Sequence, residues 1–182
     1  SGQSRIMRLS TIMLCDLVLQ EDGIRAAARR SGAPPSTVTA ALQRLEAELS
    51  IPLVRRSGGK LAFSIQSEQM RSALTRLATL CCRVYGQPPD QAIRAAQERL
   101  VTLEALFRLA EVLRVGSIRK AALHMNIGQP QLTRDLGQLE QRLGRALLLR
   151  DRRGVSATDI GIALLDIIEE LQGLWTAISK TA

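Results

Sequence analysis

Two groups of side chains in this sequence are built for recognition. Gln129, Gln131, Thr133 and Arg134 follow closely on Gly128. A carboxamide both donates and accepts, so it can pair bidentately with adenine, and a guanidinium can do the same with guanine. Downstream, Arg150, Arg152 and Arg153 crowd around Gly154. Cations so placed suit phosphate oxygens or a minor groove. Ser117 and Arg119 lie upstream and suit phosphate contact or, equally, a helix cap and a solvated charge. An earlier stretch offers a weaker copy: Ser36, Thr37, Thr39 and Gln43, then Arg55, Arg56 and Lys60. Its front is short and uncharged, so backbone binding is expected there more than base reading. Arg29 and Arg30 add either to that backbone contact or to a solvated helix end.

Other chemistry finds few candidates. His124 is the single histidine, with no Asp or Cys at a useful spacing, and reads as a surface residue. Cys15, Cys81 and Cys82 lack metal-ligand spacing and, where adjacent, cannot readily bridge each other. Burial of Cys81 and Cys82 is favoured over redox sensing. No Ser/His/Asp set and no phosphate-binding glycine loop occurs, so neither an enzyme nor a cofactor or metal is expected. Aromatic residues make up 2% of the 182 residues, too few for a base-stacking platform for single strands. The formal net charge of +8 points to a polyanionic partner, double-stranded DNA given the side chains above. No apolar run is long enough to cross a bilayer and no signal-peptide pattern appears. A cytoplasmic, nucleoid-associated bacterial protein is expected.

The elements that must hold these side chains occur twice. Displaced by about 94 positions, the sequence matches itself without gaps. Ile24-Arg25 falls on Ile118-Arg119, Ala27-Ala28 on Ala121-Ala122, Leu45-Glu46 on Leu139-Glu140, and Leu49, Leu53 and Arg56 on Leu143, Leu147 and Arg150. In the second copy, Leu103, Leu106, Phe107, Ala110 and Leu113 recur at helical spacing. Gly116 stops that helix, and Ser117 caps a short one from Ile118 to His124. Asn126-Ile127-Gly128 turn the chain, and Pro130 opens a third helix to about Leu143, closed by Gly144. Leu147–Arg150 and Val155–Ala157 read as a hairpin, and Thr158-Asp159 cap a long last helix to about Ile178. The first copy predicts helices over Arg8–Gln20, Ile24–Arg30, Ser36–Leu49 and Ile65–Tyr85, with a hairpin over Leu53–Phe63. Pro88-Pro89-Asp90 separates the copies, with Asp90 expected to cap a connecting helix. The expected organisation is mainly α: two tandem winged helix-turn-helix domains, residues 1–86 and 102–182, joined by residues 87–101, each with a β-hairpin wing and a long C-terminal helix.

Gly128-Gln129-Pro130-Gln131-Leu132-Thr133, with Leu136, Leu139-Glu140, Leu143-Gly144, Leu147-Leu148 and Arg150, resembles the recognition helix and wing of LysR-type regulators. The first copy departs from that pattern, with Pro34-Pro35-Ser36-Thr37-Val38-Thr39 in place of the usual Ser-Gln-Pro stretch. The resemblance implies transcription regulation through recognition helices in the major groove. It carries over no inducer, because this sequence, either a two-headed regulator or the front piece of a longer one, does not include the family's effector-binding domain. In the family the long helix pairs antiparallel with its copy in a dimer. Here Leu164, Ile168, Leu171, Leu174, Trp175 and Ile178 cover more than one helix face, so a partner helix is expected. The first long helix shows the narrower stripe Met70, Leu74, Leu77, Cys81 and Val84, interrupted by Arg71 and Arg76. That contrast slightly favours a homodimer through the second long helix over pairing within the chain. Two other functions compete with specific regulation: a protein-interaction module on a decayed winged fold, meeting other transcription proteins, and a low-specificity architectural DNA binder.

Overall fold

The computed structural model describes residues 6–57 and 60–181, without the side chains at 56, 57, 60, 180 and 181. It is mainly helical, with two small antiparallel hairpins. The first unit comprises α1 (Leu9–Glu21), α2 (Ile24–Ser31), α3 (Pro35–Leu49), β1 (Val54–Ser57), β2 (Lys60–Phe63) and α4 (Ile65–Tyr85). A connecting helix, α5 (Pro89–Glu98), follows. The second unit repeats the order: α6 (Leu103–Val115), α7 (Ile118–Met125), α8 (Gln129–Leu143), β3 (Leu148–Asp151), β4 (Gly154–Ala157) and α9 (Asp159–Thr181). The winged helix-turn-helix fold therefore occurs twice, with boundaries within about three residues of the sequence expectation.

Local signals explain the boundaries. The Ser117 hydroxyl accepts the Lys120 N–H and caps α7, and the Thr158 hydroxyl accepts the Gly161 N–H and caps α9. Gly144 ends α8 at φ +66°, a conformation without penalty for a residue lacking Cβ. One expectation is corrected. Asp90 does not cap α5; Pro88 holds that position and Asp90 lies in the first turn, where its carboxylate accepts from Arg30 at 3.2 Å. Pro88 has no hydroxyl or carboxylate to offer, so α5 starts without a side-chain cap.

The two cores differ. In α6 one stripe is buried: Leu103, Leu106, Leu109, Ala110 and Val112. In α1 every residue from Leu9 to Leu19 is buried, because α3, α4 and α5 pack around it. That burial includes Asp16, whose carboxylate accepts from Thr75 and Gln20. Burial still pushes the Asp16 pKa up from the ordinary carboxylate value, against those hydrogen bonds and the nearby Arg71. Cys15 and Cys81 are fully buried in the same unit, and desolvation raises both thiols far above their usual range.

The long helices α4 and α9 pack on each other within one chain. Arg76 of α4 donates two hydrogen bonds to the Glu170 carboxylate of α9, at 2.7 and 2.9 Å. These residues stand 94 positions apart, so they are equivalent points of the two copies. The same holds at the chain's other crossing. Arg8 and Thr102 form an antiparallel bridge, with Leu9 N–H to Val101 O at 3.0 Å and Leu103 N–H to Met7 O at 2.8 Å. When equivalent residues meet each other twice, a local two-fold axis runs between the units.

The partner helix expected for this apolar face is supplied within the chain by α4. Leu164, Ile168, Leu171 and Ile178 are all buried within the single chain, and Leu174 and Trp175 are half-buried. The polar residues that made the α4 stripe look unsuitable are consumed locally. Arg76 meets Glu170, while Arg71 donates to Leu19 O at 2.9 Å and lies 5.3 Å from the centre of the Phe63 ring.

Candidate nucleic-acid interface

The α8 helix is fixed from behind by Leu132, Leu136, Leu139 and Leu143, all buried. Its opposite side is free. Gln129, Gln131 and Arg134 are exposed at its N-terminal end and Thr133 is half-buried. Pro130 in the first turn costs no hydrogen bond, because the first amides of a helix have no intrahelical acceptor. The polar front thus projects from a rigid element, as base reading requires.

Asp135 would repel phosphate from this front if left bare. Its carboxylate instead accepts from Arg108 of α6 at 2.7 Å, and Arg108 also pairs with Glu104 at 3.1 Å. One guanidinium therefore neutralises a carboxylate on the same face as Gln131, four residues away along the helix.

The wing is tied to this helix by a residue quoted above only as part of a pattern. Glu140 of α8 accepts the Leu147 N–H at 2.7 Å and the Leu148 N–H at 3.3 Å, where the hairpin begins. Glu46 does the same for Leu53 in the first unit, at 2.9 Å. The repeated Leu-Glu pair was the sequence signal for this positioning role. At the far end, Val155 N–H donates to Gly116 O at 3.1 Å. Gly154 sits at φ +139°, where a Cβ would come within 2.3 Å of Gly116 O, so no other residue fits the close approach. Arg150, Arg152 and Arg153 are exposed, with no side-chain partner among the described residues. The turn is shaped by Asp151, which accepts the Arg153 N–H at 2.7 Å.

The remaining candidates are placed as follows. Ser117 uses its hydroxyl as a cap, and Arg119 is exposed beside it. In the first unit, Ser36, Thr37 and Gln43 are exposed on α3, Thr39 is half-buried, and Arg55 is exposed on β1. The Arg56 and Lys60 side chains lie outside the described residues. Arg29 is exposed, but Arg30 is held by Glu21 at 2.7 Å and by Asp90. His124 is exposed as expected, yet a carboxylate does lie near it: Glu111, 3.6 Å from Nδ1.

The helices α3 and α8 flank one central strip. Ser36, Thr37 and Arg44 of α3 share a groove with Gln97 and Leu100. Gln131, Gln138 and Arg142 of α8 share a second groove with Leu100 and Thr102. Both helices thus border the segment through which the local two-fold passes. Among the described residues there is no group of His, Cys, Asp and Glu able to hold a metal ion, and no helix long and apolar enough to cross a membrane.

The model of the bacterial regulatory helix-turn-helix proteins of the lysR family matches twice, over residues 9–65 and 103–162. The chain belongs to the LysR family. Each match runs from the first helix of a unit through its wing to the start of its long helix, and together they cover more than half of the sequence. Similar curated proteins include the uncharacterized HTH-type transcriptional regulator YusT of Bacillus subtilis (strain 168), 41% identical over 69 residues, which are 38% of this chain and 23% of that protein. The HTH-type transcriptional regulator AbaB of Streptomyces antibioticus is 42% identical over 59 residues, 32% of this chain and 20% of that protein. The nitrogen assimilation regulatory protein nac of Escherichia coli (strain K12) is 39% identical over 51 residues, 28% of this chain and 17% of that protein. The LysR-type chain thus aligns with about a fifth of the length of these relatives. No solved structure matches the chain.

Proposed function

We propose that this LysR-family chain is a sequence-specific double-stranded DNA binder that regulates transcription. One observation carries the reading. Gln129, Gln131 and Arg134 project from the N-terminal end of a helix clamped by four buried leucines, beside an arginine wing with no protein partner among the described residues. The helix enters the major groove, where Gln131 and Arg134 read base edges. Arg150, Arg152 and Arg153 hold the adjoining backbone or minor groove, and Arg119 adds a phosphate contact. In the first unit Ser36, Thr37, Thr39 and Gln43, with the wing cations Arg55, Arg56 and Lys60, hold the duplex mainly through its backbone. The regulatory names of the relatives support the same reading.

The test is equilibrium binding of the chain to a random duplex and to a duplex selected from a randomised pool, at one fixed salt concentration. The selected duplex is expected to bind at least about a thousand-fold more tightly. Equal affinity for both would leave only the architectural role. Absence of binding to either at low salt would overturn the DNA reading and favour the interaction module.

A further inference from the structure

We infer that one copy of this chain reads an asymmetric DNA site in a single fixed orientation, with base information concentrated under α8. The inference rests on the DNA-binding reading above and adds the form of the target.

A dimer of identical chains is symmetric, so it presents the same reading helix to both halves of its site. This chain makes its two-fold from two different halves. Position 76 meets position 170 and position 8 meets position 102, each pair being equivalent in the repeat. At the axis of a homodimer built on one long helix, each residue would face its own copy. Two α9 helices in this register would set Glu170 against Glu170, and two α4 helices Arg76 against Arg76. Within one chain the axis instead joins Arg76 to Glu170. Like charges there oppose the exchange of partners, and opposite charges favour the in-chain pair. The buried Leu164, Ile168, Leu171 and Ile178 are already covered in that pairing.

The two heads then present different chemistry at equivalent positions. Where α8 carries Gln129, Gln131 and Arg134, α3 carries Pro35, Thr37 and Ala40. Proline and alanine offer no side-chain hydrogen bond, and a threonine hydroxyl pairs with several bases without distinguishing them well. Gln131 and Arg134 can each pair bidentately, the geometry that separates one base pair from another. Both heads border the strip from Gln97 to Thr102, so they address one stretch of duplex together. The two halves of the site therefore differ, and the chain can lie on it in only one direction.

The experiment selects binding sites for the full chain from a randomised duplex pool and then measures affinity for the winner with either half scrambled. A non-palindromic motif is expected. Scrambling the half read by α8 should weaken binding by roughly 5- to 150-fold for each bidentate pair removed. Scrambling the other half should cost less than about five-fold. Arg134→Ala should remove preference in the strong half alone, and sedimentation should show one chain per duplex. A palindromic motif, equal losses from both halves, or two chains on each duplex would overturn this inference while leaving specific DNA binding intact. Failure to bind any duplex, or equal binding to random and selected duplexes, would overturn both. Thr37→Gln with Ala40→Arg supplies a gain-of-function arm. It should add base preference to the weak half, and its failure to do so in a folded protein that binds the parental site would also count against the inference.

Discussion

Replacing Arg108 with Ala should weaken DNA binding although Arg108 lies on α6, behind the reading helix. In the wild-type chain Arg108 sits between Asp135 at 2.7 Å and Glu104 at 3.1 Å, so the trio carries one net negative charge. Arg108→Ala leaves two. For a carboxylate roughly 7 Å from a phosphate, with an effective dielectric between about 20 and 80, Coulomb's law gives about 0.6 to 2.4 kcal/mol of repulsion. The phosphate side of the contact is hydrated and screened by salt, which places the effect toward the lower end, about three- to ten-fold in affinity at low salt. The loss should be the same on random and selected duplexes, because no base contact is removed. It should shrink as salt approaches a concentration that screens over a few ångströms. Fluorescence anisotropy with both duplexes across a salt series reads this out, and a thermal melt should show a fall of only a few degrees. The decisive arm is Arg108→Ala with Asp135→Ala, which restores the original net charge and should recover most of the missing affinity. An undiminished loss in the double variant would refute the electrostatic account and make Arg108 a purely geometric support.

Three further outcomes follow from particular residues. Removing Arg150, Arg152 and Arg153 together should weaken all duplexes alike and flatten the plot of log K against log salt by about 0.9 for each phosphate no longer neutralised; an unchanged slope would remove the wing from the interface. Leu171, fully buried, should cost about 2–5 kcal/mol when changed to Ala, with the melting temperature falling by about 4–20 °C. The sedimentation coefficient should stay put, and a change of association state with little loss of stability would place Leu171 between chains. Asp16→Asn should raise the melting temperature at neutral pH. Burial raises the Asp16 pKa in the folded chain, so the charged form costs stability above that pKa, and the cost vanishes as pH falls toward the unfolded value near 3.8. The gain should shrink over the same interval in a pH series of melts, and a gain that grew on acidification would contradict the direction of the shift.

Most of the fold was legible because the repeat supplied each boundary twice. Turn and cap residues announced themselves by type: Ser117 before α7, Gly144 after α8, Thr158 before α9. The polar front of α8 was equally legible, since the leucine spacing fixes which side must face outward. The pairing of α4 with α9 was legible only as one of two alternatives. Arg71 and Arg76 looked like flaws in an apolar stripe when that stripe was considered alone. Their partners, Leu19 O with the Phe63 ring and Glu170, lie on other elements, and helical periodicity holds no information about those. The offset of 94 did contain the clue, because a two-fold brings equivalent residues together and Arg76 and Glu170 are equivalent. The neutralising partner of Asp135 is equally remote, since its cation comes from α6, which sequence spacing alone could not assign.

If the chain binds DNA as proposed, the links at Arg8–Thr102 and Arg76–Glu170 bear on how occupancy would respond to protein concentration. A regulator that must first find its twin fills its site with the square of its concentration when it is scarce. Here both heads arrive on one polypeptide, and docking the second is an intramolecular event whose effective concentration is set by the fold. Occupancy of a single operator should therefore rise hyperbolically, with a Hill coefficient near one even at a few copies per cell. On the proposed reading, one chain per site would respond gradually to changes in its own concentration, without the sharp threshold that an obligate dimer obtains from dilution.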